Sequence, residues 1–330
     1  MVVDKIALDT PLLRIKGLKK YYPIRKGIFS HTVANLKAVD GVDFEIARGE
    51  TLGLVGESGC GKSTLGYTMV QLEKPTAGNI FFEDQDIAQI SKQEMLKVRK
   101  DLQIIFQDPY SSLNPRKRVA DILAEPIKVH NIVAKKDIQR EVDRILEIVG
   151  LPQNCKNRYP HEFSGGQRQR IGIARALSLS PKLIICDEPV SALDVSIQAQ
   201  VLNLLKDLQE DYNLTYLFIS HGLGAIRYIS DRIAVMYLGK IVEIAATEEI
   251  FRNPQHPYTK ALLNAYPVPD PHMRDKQRLI IQGDIPNSVN MPGGCRFHTR
   301  CPNAYAKCLS HSPELEGNGH QVACFALTDC

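Results

Sequence analysis

The chain has 330 residues, of which 44% are apolar and 24% are charged, and its formal net charge at pH 7 is +4. This length allows one large domain with an appendage, and the small, scattered positive charge gives no reason to expect a nucleic-acid partner. The longest apolar stretches have the length of strands, and residues 1–13 lack the order of a secretion signal. We therefore expect a cytosolic protein whose membrane role is peripheral.

The order of the predicted elements indicates an α/β fold. Within residues 1–250, short β-rich runs alternate with amphipathic helical runs, which predicts a mostly parallel sheet covered by helices on both faces. Strand patterns are lacking around 114–165, where apolar residues recur at helical spacing, so we expect an inserted helical subdomain with a bend or break at Pro126. Residues 251–330 are rich in proline and turn residues and form the predicted C-terminal domain.

A glycine-rich loop follows the predicted strand at residues 51–55 and precedes a helical run at 65–72. Its residues are Gly56, Glu57, Ser58, Gly59, Cys60, Gly61, Lys62, Ser63 and Thr64. This is the complete pattern of a P-loop, in which the glycines let backbone N–H groups surround phosphate oxygens. We expect Lys62 to reach the β- and γ-phosphates of ATP, Ser63 to bind Mg²⁺ and Thr64 to hold the α-phosphate end.

A second motif is the apolar run at residues 183–186, which ends in Asp187 and Glu188. Two carboxylates after a buried strand are costly unless a cation or a reaction needs them, although such a pair can also simply open a loop. Downstream of a P-loop the run predicts a Walker B strand. Asp187 would then belong to the Mg²⁺ shell, and Glu188 would be the general base that activates water.

A third motif combines a helix-capping serine with two glycines and is followed by a basic helical run. Its residues are Ser164, Gly165, Gly166 and Gln167. The serine is a good N-cap, and the glycines leave N–H groups open at the start of the helix, which predicts a second anion site on the same chain. A nucleotide that used both kinds of site would need a second subunit to supply one of them.

With these three motifs the chain resembles, over essentially its whole length, the nucleotide-binding subunits of ABC transporters. The resemblance implies that ATP binds between the P-loop of one subunit and the signature, residues 164–167, of another. It assigns Tyr22 to stacking on adenine, although a tyrosine next to Tyr21 could also serve packing. It makes Gln107 the Q-loop residue and a Mg²⁺ ligand, and His221 the switch histidine. The implied D-loop consists of Ser191, Ala192, Leu193 and Asp194.

Glu188, His221 and Gln107 are thus the predicted catalytic residues. The chain departs from the family pattern after the switch histidine, where Gly222 stands in place of an acidic residue. We expect this change to affect the kinetics of switching more than nucleotide binding.

Local segments resemble the oligopeptide and dipeptide importers, and the insert at residues 23–36 together with residues 37–42 resembles the second of their two ATPase subunits. These segments are residues 23–36, 107–116, 187–196 and 253–262. The resemblance implies a related second ATPase, two transmembrane permease subunits, an external peptide-binding protein, and a location at the cytoplasmic face of the cell membrane. Nickel and glutathione importers belong to the same branch, so the cargo stays open.

Cysteines crowd the C-terminal region. Four of the eight in the chain are Cys295, Cys301, Cys308 and Cys324, and Cys330 at the end is expected to take no part. Such crowding in a cytosolic protein favours a metal site over disulfides, but the spacing lacks paired C-x-x-C knuckles. The resemblance implies a [4Fe-4S] cluster on the four cysteines, with Zn²⁺ or free, buried thiols as alternatives.

The leading hypothesis is ATP hydrolysis that drives import of di- or oligopeptides. A rival is a soluble ABC ATPase acting on nucleic acid or ribosomes, which would be expected to show tandem cassettes, long coiled coils or basic inserts; the sequence has none of these. A third hypothesis is a redox sensor, which would need a reactive cluster in the C-terminal region.

Overall fold

The computed structural model describes residues 11–27, 31–265, 286 and 288–328. The strands within them are Leu13–Lys26 (β1), His31–Ile46 (β2), Thr51–Val55 (β3), Ala77–Phe82 (β4), Gln85–Asp86 (β5), Leu102–Ile105 (β6), Leu183–Asp187 (β7), Thr215–Ile219 (β8), Arg232–Tyr237 (β9), Lys240–Ala246 (β10) and Gln321–Val322 (β11). The helices are Lys62–Met69 (α1), Lys92–Asp101 (α2), Val119–Val129 (α3), Ile138–Ile148 (α4), Gly165–Leu177 (α5), Val195–Tyr212 (α6), Leu223–Ile229 (α7), Thr247–Arg252 (α8), Pro257–Ala265 (α9), Ala306–Ser310 (α10) and Phe325–Thr328 (α11). Among these helices, none combines the length and the apolar character that crossing a bilayer requires.

The chain divides into two compact units, each assembled from separate segments. The first unit includes Ile46–Thr51 and Gln89–Ser220. The second unit includes Leu13–Glu45, Leu52–Ala88 and the described residues from His221 onward. The predicted domain boundary near residue 250 is a different kind of division, and it stays a prediction.

The first unit contains three parallel strands, and the middle strand ends in an aspartate. Strand β7 lies between β6 and β8, all three run parallel, and Leu183 stands opposite both Leu102 and Thr215. Every residue of β7 and β8 is buried, as expected for parallel strands covered on both faces. Strand β7 ends in Asp187, which is 0% exposed. Its carboxylate therefore lies at the carboxyl end of the strand, the edge where α/β sheets form their sites.

The segment between β6 and β7 contains the three helices α3, α4 and α5. Helices α3, α4 and α5 pack on one another. The buried residues of α4 lie on one helical face and are Ile138, Val142, Ile145 and Leu146. Pro126 does not break α3, which continues to Val129; the proline lacks only the one hydrogen bond that its own N–H would donate. The limits predicted for a helical subdomain stay a prediction.

The second unit holds two groups of strands. Strand β3 runs parallel to β9, with Leu52 opposite Arg232, and β10 is antiparallel to β9. Strand β11 continues this group, with Val322 opposite Glu243 of β10. It thereby attaches residues 288–328, called the C-terminal segment below, to the sheet. The other group has the strand order β2-β1-β4-β5.

An aromatic cluster also fixes the C-terminal segment within the second unit. Tyr237 of β9, Tyr258 of α9 and Phe297 are each at most 2% exposed. The ring centroids of Tyr237 and Tyr258 are 4.7 Å apart, and that of Phe297 lies 5.3 Å from Tyr237 and 5.5 Å from Tyr258. These rings contribute a small apolar core of their own, so the C-terminal segment is held by packing as well as by β11.

Candidate nucleotide site

The P-loop connects β3 to α1, as the sequence predicts, and its glycines are required for different reasons. A Cβ atom on Gly56 would lie 2.2 Å from the Met236 carbonyl oxygen. A Cβ on Gly61 would lie 2.0 Å from the Ala38 carbonyl oxygen. Gly59 has open space around it but adopts a φ of +78°, which favours glycine. The protein's own backbone thus excludes side chains at the first and third glycine, and the conformation of the loop excludes them at the second.

The lysine of the P-loop is turned into the loop. Lys62 is 5% exposed, and its Nζ donates to the carbonyl oxygens of Gly56 at 2.8 Å and Glu57 at 3.1 Å. Helix α1 begins after Gly61 without a side-chain cap and has no acidic residue in its first turn. A buried ammonium beside an uncapped helix start is a favourable place for phosphate oxygens, so the residues present fit a nucleotide.

The remaining P-loop residues differ in exposure. Ser58 and Gly59 are exposed, whereas Ser63 and Thr64 are half-buried. Cys60 is buried, and burial raises the pKa of its thiol despite the nearby Lys62 ammonium. The thiol therefore stays protonated near neutral pH and adds no negative charge to an anion-binding loop.

In the first unit, Gln107 and Glu188 lie together although the sequence gives no direct indication of this. Gln107 Nε2 donates to Glu188 Oε2 at 2.9 Å. Glu188 follows Asp187 at the end of β7, has a φ of +47°, and donates its N–H to the Ile219 carbonyl at 2.9 Å. A left-handed conformation at a residue other than glycine is uncommon and is held here by this bond to the end of β8. The carboxylate is half-buried and fixed in direction.

The signature residues form the start of α5. Ser164 is exposed, its Oγ accepts from the Gln167 N–H at 3.4 Å, and its own N–H donates to Gln167 Oε1 at 3.1 Å. This is a capping box, so the predicted N-cap is confirmed. A Cβ on Gly166 would lie 2.4 Å from Ile197 Cγ2 of α6. The second glycine is therefore needed for the close approach of two helices, a reason that the sequence did not reveal.

The D-loop residues lie between β7 and α6. Ser191 Oγ donates to the Glu188 carbonyl at 3.1 Å, Ala192 is exposed, and Asp194 is the N-cap residue of α6. Gln198 Nε2 donates to the Val190 carbonyl at 2.9 Å and to the Leu193 carbonyl at 3.0 Å. Gln198 thus holds the loop in shape, a role that its place inside a helix gave no reason to expect.

Two further predicted residues belong to the second unit. His221 is exposed and immediately precedes Gly222, the N-cap residue of α7. Tyr22 is half-buried, and Lys20 Nζ lies 4.7 Å from the centre of its ring. The neighbouring Tyr21 is engaged differently, because its hydroxyl donates to Asp40 Oδ1. Of the two tyrosines, Tyr22 is therefore the one whose ring is not tied to Asp40.

The predicted metal site in the C-terminal segment is wrong. Cys295, Cys301, Cys308 and Cys324 are all described, yet residues 11–27, 31–265, 286 and 288–328 contain no group of three or more His, Cys, Asp or Glu side chains that could hold a metal ion. Neither the [4Fe-4S] cluster nor the Zn²⁺ alternative is supported, and none of the described cysteines forms a disulfide. Cys330 lies outside the described residues.

Three of these cysteines are protonated thiols, and the segment that carries them is held by other contacts. Burial, and then the neighbouring cysteines, raise the pKa values of the Cys295, Cys301 and Cys324 thiols, so the protonated form is favoured in this structure. The segment is also stabilised in another way, because Phe297 packs into the aromatic cluster and β11 pairs with β10. A metal is therefore not required to hold this segment in place.

In the structure, two residues that no sequence motif indicated form contacts with the P-loop. Tyr258 Oη accepts a hydrogen bond from the Glu57 N–H, across 201 positions of the chain. Arg300 forms an ion pair with the Glu57 carboxylate, across 243 positions. No local pattern connects residues so far apart in sequence, so only the folded chain could reveal these contacts.

Family models match two parts of the chain. The ABC transporter model matches residues 39–191, and the model of the oligopeptide/dipeptide transporter C-terminal region matches residues 242–308. The oligopeptide transport ATP-binding protein AppF of Bacillus subtilis is 54% identical over 317 residues, covering 95% of this chain and 96% of that protein. The dipeptide transport ATP-binding protein DppF of Haemophilus influenzae is 48% identical over 328 residues, covering 99% of this chain and 100% of that protein.

Solved structures show the same fold. A dimeric structure of the ATP-binding cassette MJ0796 in a post-hydrolysis state, bound to ADP and Pi, is 26% identical with a TM-score of 0.63, covering 71% of this chain and 98% of that chain. The structure of cbiO1 from Clostridium perfringens is 27% identical with a TM-score of 0.63, covering 74% of this chain and 92% of that chain. With relatives this similar over nearly the whole length, the chain belongs to the ABC transporter family, among the ATP-binding proteins of oligopeptide and dipeptide transport.

Proposed function

We propose that this chain binds and hydrolyses ATP and thereby drives the import of di- or oligopeptides across the cytoplasmic membrane. The observation that carries the proposal is the P-loop, in which the buried Lys62 ammonium donates to the Gly56 and Glu57 carbonyls at 2.8 Å and 3.1 Å. The similarity to proteins named for oligopeptide and dipeptide transport supports the choice of cargo. ATP and Mg²⁺ are the cofactors of this family.

In the second unit, the P-loop backbone binds the phosphate chain. Lys62 exchanges its bonds to the loop carbonyls for bonds to the β- and γ-phosphate oxygens. The ammonium that binds these phosphates therefore already lies in the loop before the nucleotide binds. Ser63 offers a hydroxyl ligand for Mg²⁺, and Thr64 supports the α-phosphate end. Mg²⁺, when bound, neutralises the charge that develops on the phosphate oxygens.

Two other residues of the second unit complete the proposed nucleotide contacts. The half-buried ring of Tyr22 stacks on adenine, and the Lys20 ammonium on its ring marks a face that accepts a partner. His221 is exposed and donates to the γ-phosphate, so that loss of this phosphate is reported to the start of α7.

In the first unit, Glu188 is the proposed general base. Its carboxylate takes the proton of the attacking water, and the amide of Gln107 keeps it in one orientation through the 2.9 Å hydrogen bond. Asp187, fully buried beside it, is a proposed Mg²⁺ ligand together with Gln107. Gln107 therefore has two possible partners, Glu188 and the ion, and can switch between them during the cycle.

The signature and the D-loop are proposed to act on the nucleotide of a second subunit. Ser164 is exposed at the start of α5, where the Gly165 and Gly166 backbone can receive a phosphate from outside. The D-loop, residues 191–194, follows strand β7 and is held in shape by the hydrogen bonds of Gln198. We propose that the partner is a related but distinct ATPase, so that the two form a heterodimer.

The proposed assembly also contains two transmembrane permease subunits and an external peptide-binding protein. As the ATPase of an importer, the chain would lie at the cytoplasmic face of the membrane and be peripheral to it. A soluble ATPase acting on nucleic acid or ribosomes is not favoured, because both relatives described above are named for peptide transport. The same argument places peptides ahead of nickel or glutathione as cargo.

The test is peptide-dependent ATP hydrolysis by the assembled transporter. The chain is reconstituted in proteoliposomes with its permease subunits, its partner ATPase and the binding protein, and phosphate release is measured with and without peptides of two to eight residues. Stimulation by peptide, accompanied by peptide uptake, is the expected result. Glu188→Gln is assayed in the same way and should not hydrolyse ATP. Its matched control is Glu210→Gln, which changes an exposed carboxylate of α6 outside the site. Hydrolysis that is insensitive to peptides but stimulated by nucleic acid or ribosomes would overturn the proposal.

A further inference from the structure

The second residue of the P-loop is held by the C-terminal segment through its side chain. Arg300 Nη1 donates to Glu57 Oε2 at 2.9 Å, and Arg300 Nη2 donates to Glu57 Oε1 at 3.2 Å. The side chain of Arg300 is 7% exposed and that of Glu57 is 22% exposed. Two parallel bonds from one guanidinium to one carboxylate form the strongest kind of ion pair and fix the orientation of both groups.

The same P-loop residue is held through its backbone as well. The Glu57 N–H donates to Tyr258 Oη at 2.9 Å, and Tyr258 is 0% exposed. Burial raises the pKa of the Tyr258 hydroxyl, so the group that accepts this bond is a neutral phenol. Its ring is fixed in turn by Tyr237 and Phe297, at centroid distances of 4.7 Å and 5.5 Å. A rigid aromatic cluster thus sets the position of the Glu57 backbone.

The ion pair also offsets the negative charge of the Glu57 carboxylate in the loop. The Glu57 carbonyl is one of the two acceptors of the Lys62 ammonium, so its carboxylate is attached to the part of the loop that carries the positive charge for phosphate. An uncompensated carboxylate here would repel a polyphosphate. Burial alone would lower the pKa of Arg300, but the hydrogen bonds that Arg300 donates to Glu57 and the Glu57 charge raise it, so the guanidinium stays charged and offsets the carboxylate.

We propose that Arg300 of the C-terminal segment and Tyr258 of α9 are positioning residues for nucleotide binding, which together set the shape and the charge of the P-loop at Glu57. This inference rests on the proposed function, because it takes the P-loop to be the ATP site. It gives the C-terminal segment a part in nucleotide affinity that is independent of any metal.

The test is a double-mutant cycle on the full-length chain, with the dissociation constant of ATP as the readout. Arg300→Gln leaves Glu57 uncompensated, and we expect the ATP dissociation constant to rise about tenfold, the scale of one lost charge-assisted bond. Glu57→Gln alone should bind ATP no more weakly than the wild type. In the Glu57→Gln background, Arg300→Gln should cost threefold or less, because the charge that it offset is gone.

Three further variants separate positioning from a general loss of stability. Arg296→Gln is the matched control, since Arg296 is similarly buried in the same segment but binds Asp40 and the Leu238 carbonyl, neither of which is in the P-loop. It should lower the melting temperature and leave the ATP dissociation constant within twofold. Arg300→Lys should recover part of the affinity because it restores the charge without the fork. Tyr258→Phe, which removes only the acceptor oxygen, should weaken ATP binding severalfold.

Steady-state kinetics supply a second readout. The expected effect of Arg300→Gln is a raised KM for ATP at nearly unchanged kcat, because the general base belongs to another segment of the chain. Equal weakening by Arg300→Gln and Arg296→Gln, or additive effects of Arg300→Gln and Glu57→Gln, would overturn the inference. If Arg300→Gln does not fold, Arg300→Lys and Tyr258→Phe decide in the same way. A wild-type chain that binds no ATP would instead remove the proposed function itself.

Discussion

Gln107 Nε2 and Glu188 Oε2 are 2.9 Å apart, joined by a hydrogen bond between a loop that follows β6 and the residue after β7. The two side chains are 81 positions apart in the sequence. The bond directs the carboxylate and at the same time engages the Gln107 amide. With the roles proposed for Glu188 as general base and Gln107 as sensor, orientation of the base and sensing of the nucleotide would be coupled through this one contact.

Replacing Glu188 with Gln should abolish turnover while leaving ATP binding nearly intact. The change removes the proton acceptor but keeps the shape of the side chain and a partner for Gln107. General-base catalysis contributes about 100- to 10,000-fold, so kcat should fall by about that factor. Phosphate release and ATP affinity are measured on the same preparation, with Glu210→Gln as the control. Turnover near the wild-type rate would show that Glu188 is not the base.

Replacing Ser164 with Ala should lower stability and, separately, impair hydrolysis. The lost capping box of α5 costs about 1 kcal/mol of unfolding free energy. Ser91→Ala is the matched control, since Ser91 caps α2 with an equivalent capping box. Both variants should show similar shifts in urea unfolding, but only Ser164→Ala should reduce ATPase activity in the assembled transporter. Equal activity of the two variants would leave the signature without a role beyond capping.

Two glycine-to-alanine changes should have opposite effects on stability. Gly61 has a φ of +108°, and a Cβ there would lie 2.0 Å from the Ala38 carbonyl oxygen, so Gly61→Ala should destabilise by more than about 2 kcal/mol. Gly172 lies inside α5 with no atom within 4 Å of an added Cβ. Gly172→Ala should therefore stabilise the protein by about 0.5 to 1 kcal/mol. Chemical unfolding of both variants checks the signs, and a stable Gly61→Ala protein would contradict the close approach described for the P-loop.

His256 should make stability depend on pH. Burial, and then the charge of Lys260, lower its pKa from 6.5 to about 3, and its neutral Nδ1 accepts the Tyr258 N–H at 3.0 Å. Between these pH values the unfolded chain binds a proton that the folded chain does not, so the free energy of unfolding falls as pH falls below 6.5. The slope reaches at most about 1.4 kcal/mol per pH unit.

The measurement is urea unfolding of the wild type and His256→Asn at several pH values from 7 to 5. The asparagine keeps an acceptor for the Tyr258 N–H but does not titrate in this range. The difference in unfolding free energy between the two proteins should shrink, or shift in favour of the variant, as the pH falls. A difference that is independent of pH would show that His256 has the same pKa in the folded protein as in the unfolded chain.

The predicted secondary structure around the motifs agrees with the structure because each motif is local. The P-loop has its strand and helix, the run before Asp187 is a buried strand, and Ser164 is an N-cap. In each case neighbouring residues determine the outcome, through strand propensity, glycine conformation or capping. The roles assigned to these residues stay predictions until they are measured.

The metal site shows where such inference fails. Four cysteines close together in sequence suggested a shared metal, yet composition does not determine donor geometry, and the described part of the chain contains no group of three or more His, Cys, Asp or Glu side chains that could hold a metal ion. The segment instead uses Phe297 for packing and Arg300 for an ion pair, two residues that stand between the first two of these cysteines.

The sequence by itself determined the strand, loop and helix of the nucleotide motifs and the family to which the chain belongs, because these depend on short runs of neighbouring residues. Tertiary structure alone decided that Gln107 meets Glu188 and that Arg300 and Tyr258 meet Glu57. Such contacts join residues that are 81 to 243 positions apart. They exist only when burial of the intervening chain fixes where each backbone lies, and no local preference encodes that position.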